Sequence, residues 1–199
     1  MPRPQAADYA ERRAAIVEGA AGLYAEHGFR GASVADLAAR LGSSKALIYH
    51  YFSSKEDILF EVMDQHLRAL DVAAEAVAAR ADAPAQTLRD LARAFMAHYA
   101  GAQARHRVLL NELAALPPGR RAEIVGRQRR LIAIVERLVA RLQPELEPRL
   151  RRPAAMLFFG MINWTHTWFD PGGAVSGTEI ADLASTLMLR GLALEAGSR

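Results

Sequence analysis

Apolar positions recur along most of the chain at the three- and four-residue spacing of an α-helix. In the first such segment Ile16, Gly19, Ala20, Leu23 and Tyr24 fall on one face, as in an amphipathic helix that packs against a core. Runs of β-branched residues, which favour strands, are absent. The pattern therefore predicts an all-α fold class with about nine helices and no sheet.

Capping residues and glycines predict where the first helices begin and end. Gly28 ends the first helix, because glycine readily adopts the backbone conformation of a helix terminus. Ser33 and Ser44 are suitable N-caps for two short helices. Ser53 and Glu56 have capping-box spacing and predict the start of a long fourth helix.

Prolines and a second capping box predict the later boundaries. Pro84 begins a helix after a break. Pro153 suits the first position of a helix that extends to Phe169. Ser176 and Glu179 form a capping box that begins the last helix.

The segment from residue 33 to residue 55 has the layout of a helix-turn-helix. Two short helices are joined by a turn that contains Gly42, and Ala38 and Gly42 are small enough for the helices to cross closely. In the second short helix Leu47 and Ile48 can face inward while the polar side chains project outward. A recognition helix presents such side chains to base edges and phosphates.

The string from Gly42 to Asp57, GSSKALIYHYFSSKED, resembles the TetR family of transcriptional regulators. The resemblance covers about residues 9–60 at motif level and only the architecture beyond. It implies a nine-helix TetR-like architecture, with an N-terminal arm and three-helix DNA-binding domain in residues 1–54 and a helical effector-binding and dimerisation domain in residues 55–199. It also implies a homodimeric, ligand-responsive repressor that binds a palindromic double-stranded DNA operator and is released by a small-molecule effector.

The family motif also implies which residues contact DNA. Bases would be approached by the start of the second short helix, and phosphates by its later residues and by the flanking helix starts. For Tyr51 and its neighbour Phe52, packing within the domain is an equally good explanation. The implied DNA-binding residues are Ser33, Ser44, Lys45, Ala46, Tyr49, His50, Tyr51 and Lys55.

The distribution of charge points to a second binding function. The net charge is +3, yet residues 1–60 hold seven basic and seven acidic side chains. Residues 105–152 hold twelve arginines and five acidic residues, so the positive excess lies outside the helix-turn-helix. Guanidinium groups bind phosphates well, although such a run is also compatible with a solvated face.

The predicted helix over residues 153–169 is apolar on more than one face, which indicates cover on both sides. The stretch Asn163-Trp164-x-x-x-Trp168-Phe169-Asp170-Pro171 looks similar to TetR-family regulators of fatty-acid and aromatic-acid catabolism that bind acyl-CoA thioesters. An acyl-CoA effector is therefore a hypothesis, and ordinary core packing is the alternative for each aromatic residue. The predicted effector-binding residues are Phe95, Tyr99, Phe159, Asn163, Trp164, His166, Thr167, Arg121, Arg127 and Arg130.

The resemblance further implies that the last two helices form a four-helix bundle with a partner subunit. The predicted dimer-interface residues are Phe158, Ile180, Leu183, Leu187, Met188 and Gly191.

Other functional classes lack support in the sequence. There is no cysteine, which excludes disulfides, thiol catalysis and cysteine-ligated zinc. No catalytic residues, cofactor or metal site are predicted, because no Ser-His-Asp spacing, carboxylate pair or glycine-rich phosphate loop occurs. No apolar run approaches the ~18 residues of a membrane span, and no signal-peptide core is present, so we expect no membrane partner and a cytoplasmic protein.

Three alternatives remain open at this point. A multidrug-sensing efflux regulator would also use an aromatic pocket, but cationic drugs favour buried carboxylates and Glu112 is the one acid among the pocket candidates. An acyl-CoA-handling enzyme is disfavoured by the missing catalytic constellation. A ligand-free architectural DNA-binding protein would not need a pocket helix carrying Asn163 and His166.

Overall fold

The computed structural model describes residues 4–80 and 83–196. Within these residues the chain forms nine α-helices and two short 3-10 helices, and no strand. The α-helices are α1 (Pro4–Gly31), α2 (Val34–Arg40), α3 (Lys45–Tyr51), α4 (Lys55–Ala78), α5 (Pro84–Gly101), α6 (Gln103–Asn111), α7 (Pro118–Leu142), α8 (Pro148–Asn163) and α9 (Gly177–Ala196). The 3-10 helices are Leu113–Ala115 and Trp164–Thr167.

The helices group into two compact units. The first comprises Met1–His66 and Ala104–Ile124, and the second comprises Leu67–Gln103 and Val125–Arg199. Helices α4 and α7 each begin in the first unit and end in the second. The expected domain boundary lies at residue 54. In the structure the start of α4, which follows that residue, packs with the first unit. Residues 1–3 of the expected N-terminal arm lie outside the described residues.

The core of the first unit contains the predicted apolar face of α1. Ile16, Ala20, Leu23 and Tyr24 are buried, as the helical spacing predicts. Gly28 has φ 72° and ψ 159° and kinks the helix, a conformation that costs glycine no side-chain clash. The predicted helix end at Gly28 is therefore confirmed as a break in helical geometry.

The turn of the helix-turn-helix depends on the backbone of Gly42. Its φ is 57°, in the left-handed region that favours glycine, and nothing lies within 4 Å of the position of an added Cβ. The expected close helix crossing at Gly42 is thus wrong. The tight approach occurs instead at Gly19 of α1, where an added Cβ would lie 2.9 Å from Leu41 Cδ2.

Helix α4 begins one residue later than the capping box at Ser53 and Glu56 predicts. The hydroxyl of Ser54 accepts a hydrogen bond from the backbone N–H of Asp57 at 3.1 Å, so Ser54 caps the helix. The apolar residues that recur along α4 at helical spacing form one buried face. Its members are Leu59, Met63, Leu67, Leu70, Ala74 and Val77.

Helix α8 begins at Pro148, not at Pro153 as expected. Pro148 occupies the start of the helix, where its missing N–H is not needed. Pro153 lies inside the helix and removes one backbone donor there.

The same helix ends at Asn163, six residues before the predicted end at Phe169. The chain tightens into a 3-10 helix, in which side chains bond the carbonyls at the end of α8. The Thr165 hydroxyl donates to the Ile162 carbonyl at 2.5 Å and His166 Nδ1 lies 2.8 Å from the Asn163 carbonyl. These local bonds provide partners that a continuing helix would otherwise supply.

Helix α9 packs against α5 and α8 in the second unit. Its predicted capping box is confirmed, because the Ser176 backbone N–H and hydroxyl donate to the Glu179 carboxylate at 2.8 and 2.7 Å. The Glu179 backbone N–H donates in return to the Ser176 hydroxyl at 3.2 Å. None of the helices in the described part of the chain is both long and apolar enough to cross a membrane.

Candidate nucleic-acid interface and arginine-lined cavity

Helix α3 is fixed at the surface of the first unit by one cap and one buried side chain. The Ser44 hydroxyl accepts a hydrogen bond from the Leu47 backbone N–H at 3.1 Å. Ile48 is fully buried, so its side chain holds α3 against the core of the first unit. The remaining side chains of this seven-residue helix are therefore held in a defined orientation.

Four of the predicted DNA-contacting residues share the exposed side of α3. Lys45, Ala46, Tyr49 and His50 are exposed, and Tyr49 retains 52% of its accessible surface. We call these four residues the α3 surface. They offer an ammonium group, two ring polar groups and a small residue that permits close approach, which suits contact with phosphates and base edges.

Tyr51 packs against α1 and is half-buried. Its ring centroid lies 4.6 Å from that of Tyr9 and 5.2 Å from that of His50. The packing explanation for Tyr51 therefore describes its position better than an outward orientation. Tyr9 is not among the predicted contact residues because it precedes the helix-turn-helix motif. Its aromatic side chain near the start of α1 is the feature of the sequence that indicates such ring packing.

Lys55, an expected phosphate ligand, is engaged within its own chain. Its Nζ donates to the backbone carbonyl of Phe29 and lies 4.0 Å from the centroid of the Phe29 ring. These contacts direct the ammonium group inward in the chain without DNA, and the phosphate contact of Lys55 stays a prediction. The sequence could not reveal this because Phe29 and Lys55 are 26 positions apart.

Ser33 is likewise committed to a local structure, the cap of α2. Its hydroxyl donates to Asp36 Oδ2 at 2.7 Å, and its backbone N–H donates to the same oxygen at 2.8 Å. These hydrogen bonds lower the pKa of the Asp36 carboxyl. An ionised carboxylate beside Ser33 repels a phosphate, which argues against the expected contact at this position.

Several other basic side chains of the first unit are paired with acids. Arg13 contacts Glu61 at 2.8 Å, and Arg120 lies 3.2 Å from Asp57. Arg120 also lies 4.3 Å from the centroid of the Phe60 ring. These contacts neutralise positive charge on other helices of the first unit. On α3 itself the cationic side chain is Lys45, which is exposed.

The second unit contains a cavity of about 820 Å³ between α4, α5 and α7. It combines four arginines, two carboxylates, one hydroxyl and a group of small or aliphatic side chains, and we call it the arginine cavity. The lining residues are Asp71, Glu75, Ala78, Thr87, Arg127, Arg130, Ala133, Ile134, Arg137, Leu138 and Arg141.

Two of the predicted arginines line this cavity, and two lining arginines were not predicted. Arg127 and Arg130 belong to the lining, together with Arg137 and Arg141. The signal that could have found the last two is the helical spacing from residue 127 to residue 141, which places all four along one side of α7. Arg121 does not line the cavity and belongs to the first unit.

The two carboxylates of the cavity lie on α4. Asp71 Oδ2 is 3.6 Å from Arg130 Nη2. Burial nevertheless raises the pKa of the Asp71 carboxyl, because desolvation outweighs the attraction of Arg130 and Arg127. Glu112, the acid considered for a drug-binding pocket, lies in the first unit and does not line the cavity.

The residues of the predicted aromatic pocket pack against one another. The ring centroids of Phe95 and Phe159 are 5.8 Å apart, and the Tyr99 hydroxyl donates to Asn163 Oδ1 at 2.8 Å. Burial raises the pKa of Tyr99. None of these four residues lines the arginine cavity, so an effector contact by them stays a prediction.

The remaining predicted pocket residues follow α8 and also lie outside the cavity lining. Trp164 is 65% exposed. His166 Nδ1 bonds the Asn163 carbonyl, and the Thr167 hydroxyl donates to the Trp164 carbonyl at 2.8 Å. These polar groups therefore support the end of α8.

The predicted dimer-interface residues divide into two groups. Phe158, Ile180 and Met188 are buried within the chain, so they are not available to a partner, and Phe158 belongs to the core. Leu183 and Leu187 are 60% and 55% exposed, and Gly191 is exposed beside them. Two large apolar side chains of α8 that were not predicted, Leu157 and Met156, are also exposed.

The described part of the chain contains no cluster of three or more histidine or acidic side chains that could hold a metal ion.

Comparison with known proteins gives a consistent picture. A family model for the tetR family of bacterial regulatory proteins matches residues 16–62. A model for the tetracyclin repressor-like C-terminal domain matches residues 81–192. Together these matches cover most of both units.

Individual relatives are similar over nearly the whole chain. A TetR-family transcriptional regulator from Bordetella parapertussis is 35% identical with a TM-score of 0.86, over 89% of this chain and 93% of that chain. AibR, solved in complex with isovaleryl coenzyme A and operator DNA, is 28% identical with a TM-score of 0.79, over 88% and 97%. The HTH-type transcriptional repressor KstR2 of Mycolicibacterium smegmatis is 25% identical, over 96% of this chain and 95% of its own length.

Proposed function

The chain belongs to the TetR family of bacterial regulatory proteins, and from this premise we propose that it represses transcription by binding a palindromic operator as a homodimer. Its membership makes it a DNA-binding transcriptional regulator and not an enzyme. Since its target is the bacterial chromosome, we place its action in the cytoplasm.

The α3 surface is the observation that carries the proposal. It presents Lys45, Ala46, Tyr49 and His50 on one exposed side of a capped helix. In a dimer, two such helices separated by roughly 34–36 Å read successive major grooves. We propose residues 1–54 as the DNA-binding part, with α3 as its recognition helix.

The partner subunit, in this proposal, covers the exposed apolar side chains of α8 and α9. Leu157, Leu183 and Leu187 are each more than half exposed, and α8 and α9 pack against one another. Exposed apolar residues grouped in this way are typical of an interface. The interface would involve Leu183, Leu187 and Gly191 of the predicted set.

We propose an acyl-CoA thioester as the effector. AibR, which is similar over most of its length, was solved with isovaleryl coenzyme A. The arginine cavity supports a ligand of this class, because four guanidinium groups suit phosphates and aliphatic side chains suit an acyl chain. Four arginines against two carboxylates favour an anion over a cationic drug.

The proposed mechanism is a shift between two arrangements of the dimer. The cavity lining includes Asp71, Glu75 and Ala78 of α4. Lys55 begins the same helix and follows shortly after the end of α3 in the chain. A ligand that binds more tightly when α4 has moved lowers the population that fits the operator. DNA release then follows from differential affinity alone.

The proposal is tested by selecting operator DNA from a randomised duplex library and measuring its retention in a gel. We expect selected sequences to be palindromic and the Lys45→Ala/Tyr49→Ala variant to lose retention. Arg129→Gln, which alters an exposed arginine on α7, is the matched control. Asymmetric or absent selection, or full retention by the variant, would contradict DNA recognition through α3.

The effector is tested on the same DNA complex. Acyl-CoA thioesters of several chain lengths, the corresponding free acids and cationic drugs are added in parallel. We expect thioesters to release the DNA and raise the melting temperature, with no effect of the free acids. Release by free acids or by drugs alone would refute the thioester assignment while leaving the DNA-binding assignment intact.

A further inference from the structure

The arginine cavity is not uniform in charge along α7. Arg130 has Asp71 as a partner at 3.6 Å, and both Arg127 and Arg130 act electrostatically on that carboxylate. Arg137 and Arg141 follow Arg130 by seven and eleven residues, which is about 10 to 17 Å along a helix. The carboxylate of Asp71 therefore balances charge mainly at the Arg130 end.

Arg137 and Arg141 form a cationic pair without an acidic partner. In the described residues no salt bridge joins either side chain to an acid, including Glu75 in the same cavity. Their spacing of four residues places their Cβ atoms about 5–6 Å apart on one helix face. Two like charges this close repel each other, so an anion that bridges them is favoured.

An apolar section separates the two charged ends. Ala133 and Ile134 lie on α7 between Arg130 and Arg137, Leu138 lies between Arg137 and Arg141, and Ala78 of α4 belongs to the same lining. Aliphatic groups of a ligand lose no hydrogen bonds when they lie on such a surface. The cavity thus has aliphatic side chains beside Arg137 and Arg141, and another end where Asp71 partly balances Arg127 and Arg130.

We propose that Arg137 and Arg141 form the subsite for a phosphate or phosphoanhydride group of an amphiphilic ligand whose apolar part lies over Ile134 and Leu138. The inference rests on the proposed effector function and gives that site an orientation. A second anionic group is disfavoured at the Arg130 end, because Asp71 lies there beside Arg130. The matching ligand is anionic at one end only.

Calorimetric titration of the full chain with inorganic pyrophosphate at low ionic strength tests the subsite. The variants are Arg137→Gln/Arg141→Gln and the control Arg129→Gln, which changes an exposed arginine of the same helix outside the lining. We expect the double variant to bind pyrophosphate roughly tenfold more weakly or worse, and the control to bind like the unmodified chain. Far-ultraviolet circular dichroism checks that both variants remain helical.

Three results would overturn the subsite: no pyrophosphate binding by the unmodified chain, unchanged binding by the double variant, or an equal loss in the control, which would indicate diffuse attraction. Failure of the effector proposal is distinguishable from these. If pyrophosphate binding depends on Arg137 and Arg141 but no thioester releases DNA, the subsite stands and the thioester assignment fails. If thioesters release DNA equally from the double variant, the subsite is wrong and the effector function stands.

Discussion

Basic side chains serve different purposes in the two units of the chain. In the first unit Lys55 donates to a backbone carbonyl, Arg13 contacts Glu61 and Arg120 contacts Asp57. In the second unit Arg137 and Arg141 line a cavity with no acidic partner in the described part of the chain. The first group is engaged by partners within its own unit, whereas the second has no acidic partner in the described residues that would compete with a ligand.

The difference teaches that positive charge identifies a binding site only after internal partners have been assigned. A cation with a good internal partner contributes to stability, and its removal leaves that partner unsatisfied. A cation without one contributes little to folding and can bind an anion without first breaking a contact. Substitutions in the first group should therefore lower stability more than binding, and substitutions in the second group should lower binding more than stability.

The largest effect on stability is expected for Lys55→Met. The substitution keeps an apolar side chain but removes the donor to the Phe29 carbonyl. We expect the free energy of unfolding to fall by about 1 kcal/mol, because a part-buried acceptor loses its charged donor. Urea denaturation at fixed protein concentration measures the change, and Lys45→Met is the exposed control. Equal midpoints for the two variants would show that Lys55 has no structural role.

The next effect concerns DNA affinity and Lys45. We expect Lys45→Ala to weaken operator binding about tenfold, because a charge-assisted contact with phosphate is lost. The dependence of affinity on salt should become shallower, with its slope reduced by about one counterion. Fluorescence anisotropy at several salt concentrations measures both quantities. If Lys55→Gln weakens operator binding more than Lys45→Ala does, while the two variants are equally stable, then Lys55 and not Lys45 supplies the main phosphate contact.

A smaller effect, with a defined pH dependence, is expected for Asp71→Asn. Burial raises the pKa of Asp71 in the folded state, so the folded chain holds the proton more tightly than the unfolded chain. The native protein therefore gains stability relative to the variant as the pH falls through the raised pKa, and the gain is complete below the ordinary value of about 3.9. At neutral pH the variant should be the more stable protein. Urea denaturation between neutral and acidic pH tests this sign. If the stability advantage of the variant over the native protein grows as the pH falls, the prediction is wrong.

The smallest effect on stability is expected for Arg137→Gln/Arg141→Gln. Loss of two repelling charges should change the free energy of unfolding by no more than about 0.5 kcal/mol, in the stabilising direction. The same denaturation experiment measures it beside Lys55→Met. A loss as large as that of Lys55→Met would mean that these arginines have internal partners and are not reserved for a ligand.

Local patterns were sufficient to predict most of the fold. Helical periodicity and the caps at Ser33, Ser44 and Ser176 are properties of neighbouring residues, and the structure confirms them. The wrong start of α8 arose because Pro148 and Pro153 both satisfy the same rule for a first helical position. Which proline begins the helix depends on how the preceding turn packs, which no local pattern contains.

The candidate sites were predictable only where exposure follows from a single helix. The α3 surface needs one buried anchor, Ile48, and its outward residues then follow from helix geometry. The contacts of Lys55 and Tyr99 could not be predicted because their partners, Phe29 and Asn163, are distant in sequence. The apolar residues around α8 look alike in sequence whether they fill a core or line a pocket.

The exposed end of α8 also determines what intrinsic fluorescence can report. The chain has two tryptophans, and both Trp164 and Trp168 are more than half exposed. Both lie in one short segment of the second unit, so tryptophan emission carries no direct signal from the recognition helix. If a partner subunit covers Trp164, emission will shift to shorter wavelength as concentration rises, and subunit assembly can be followed without an added dye.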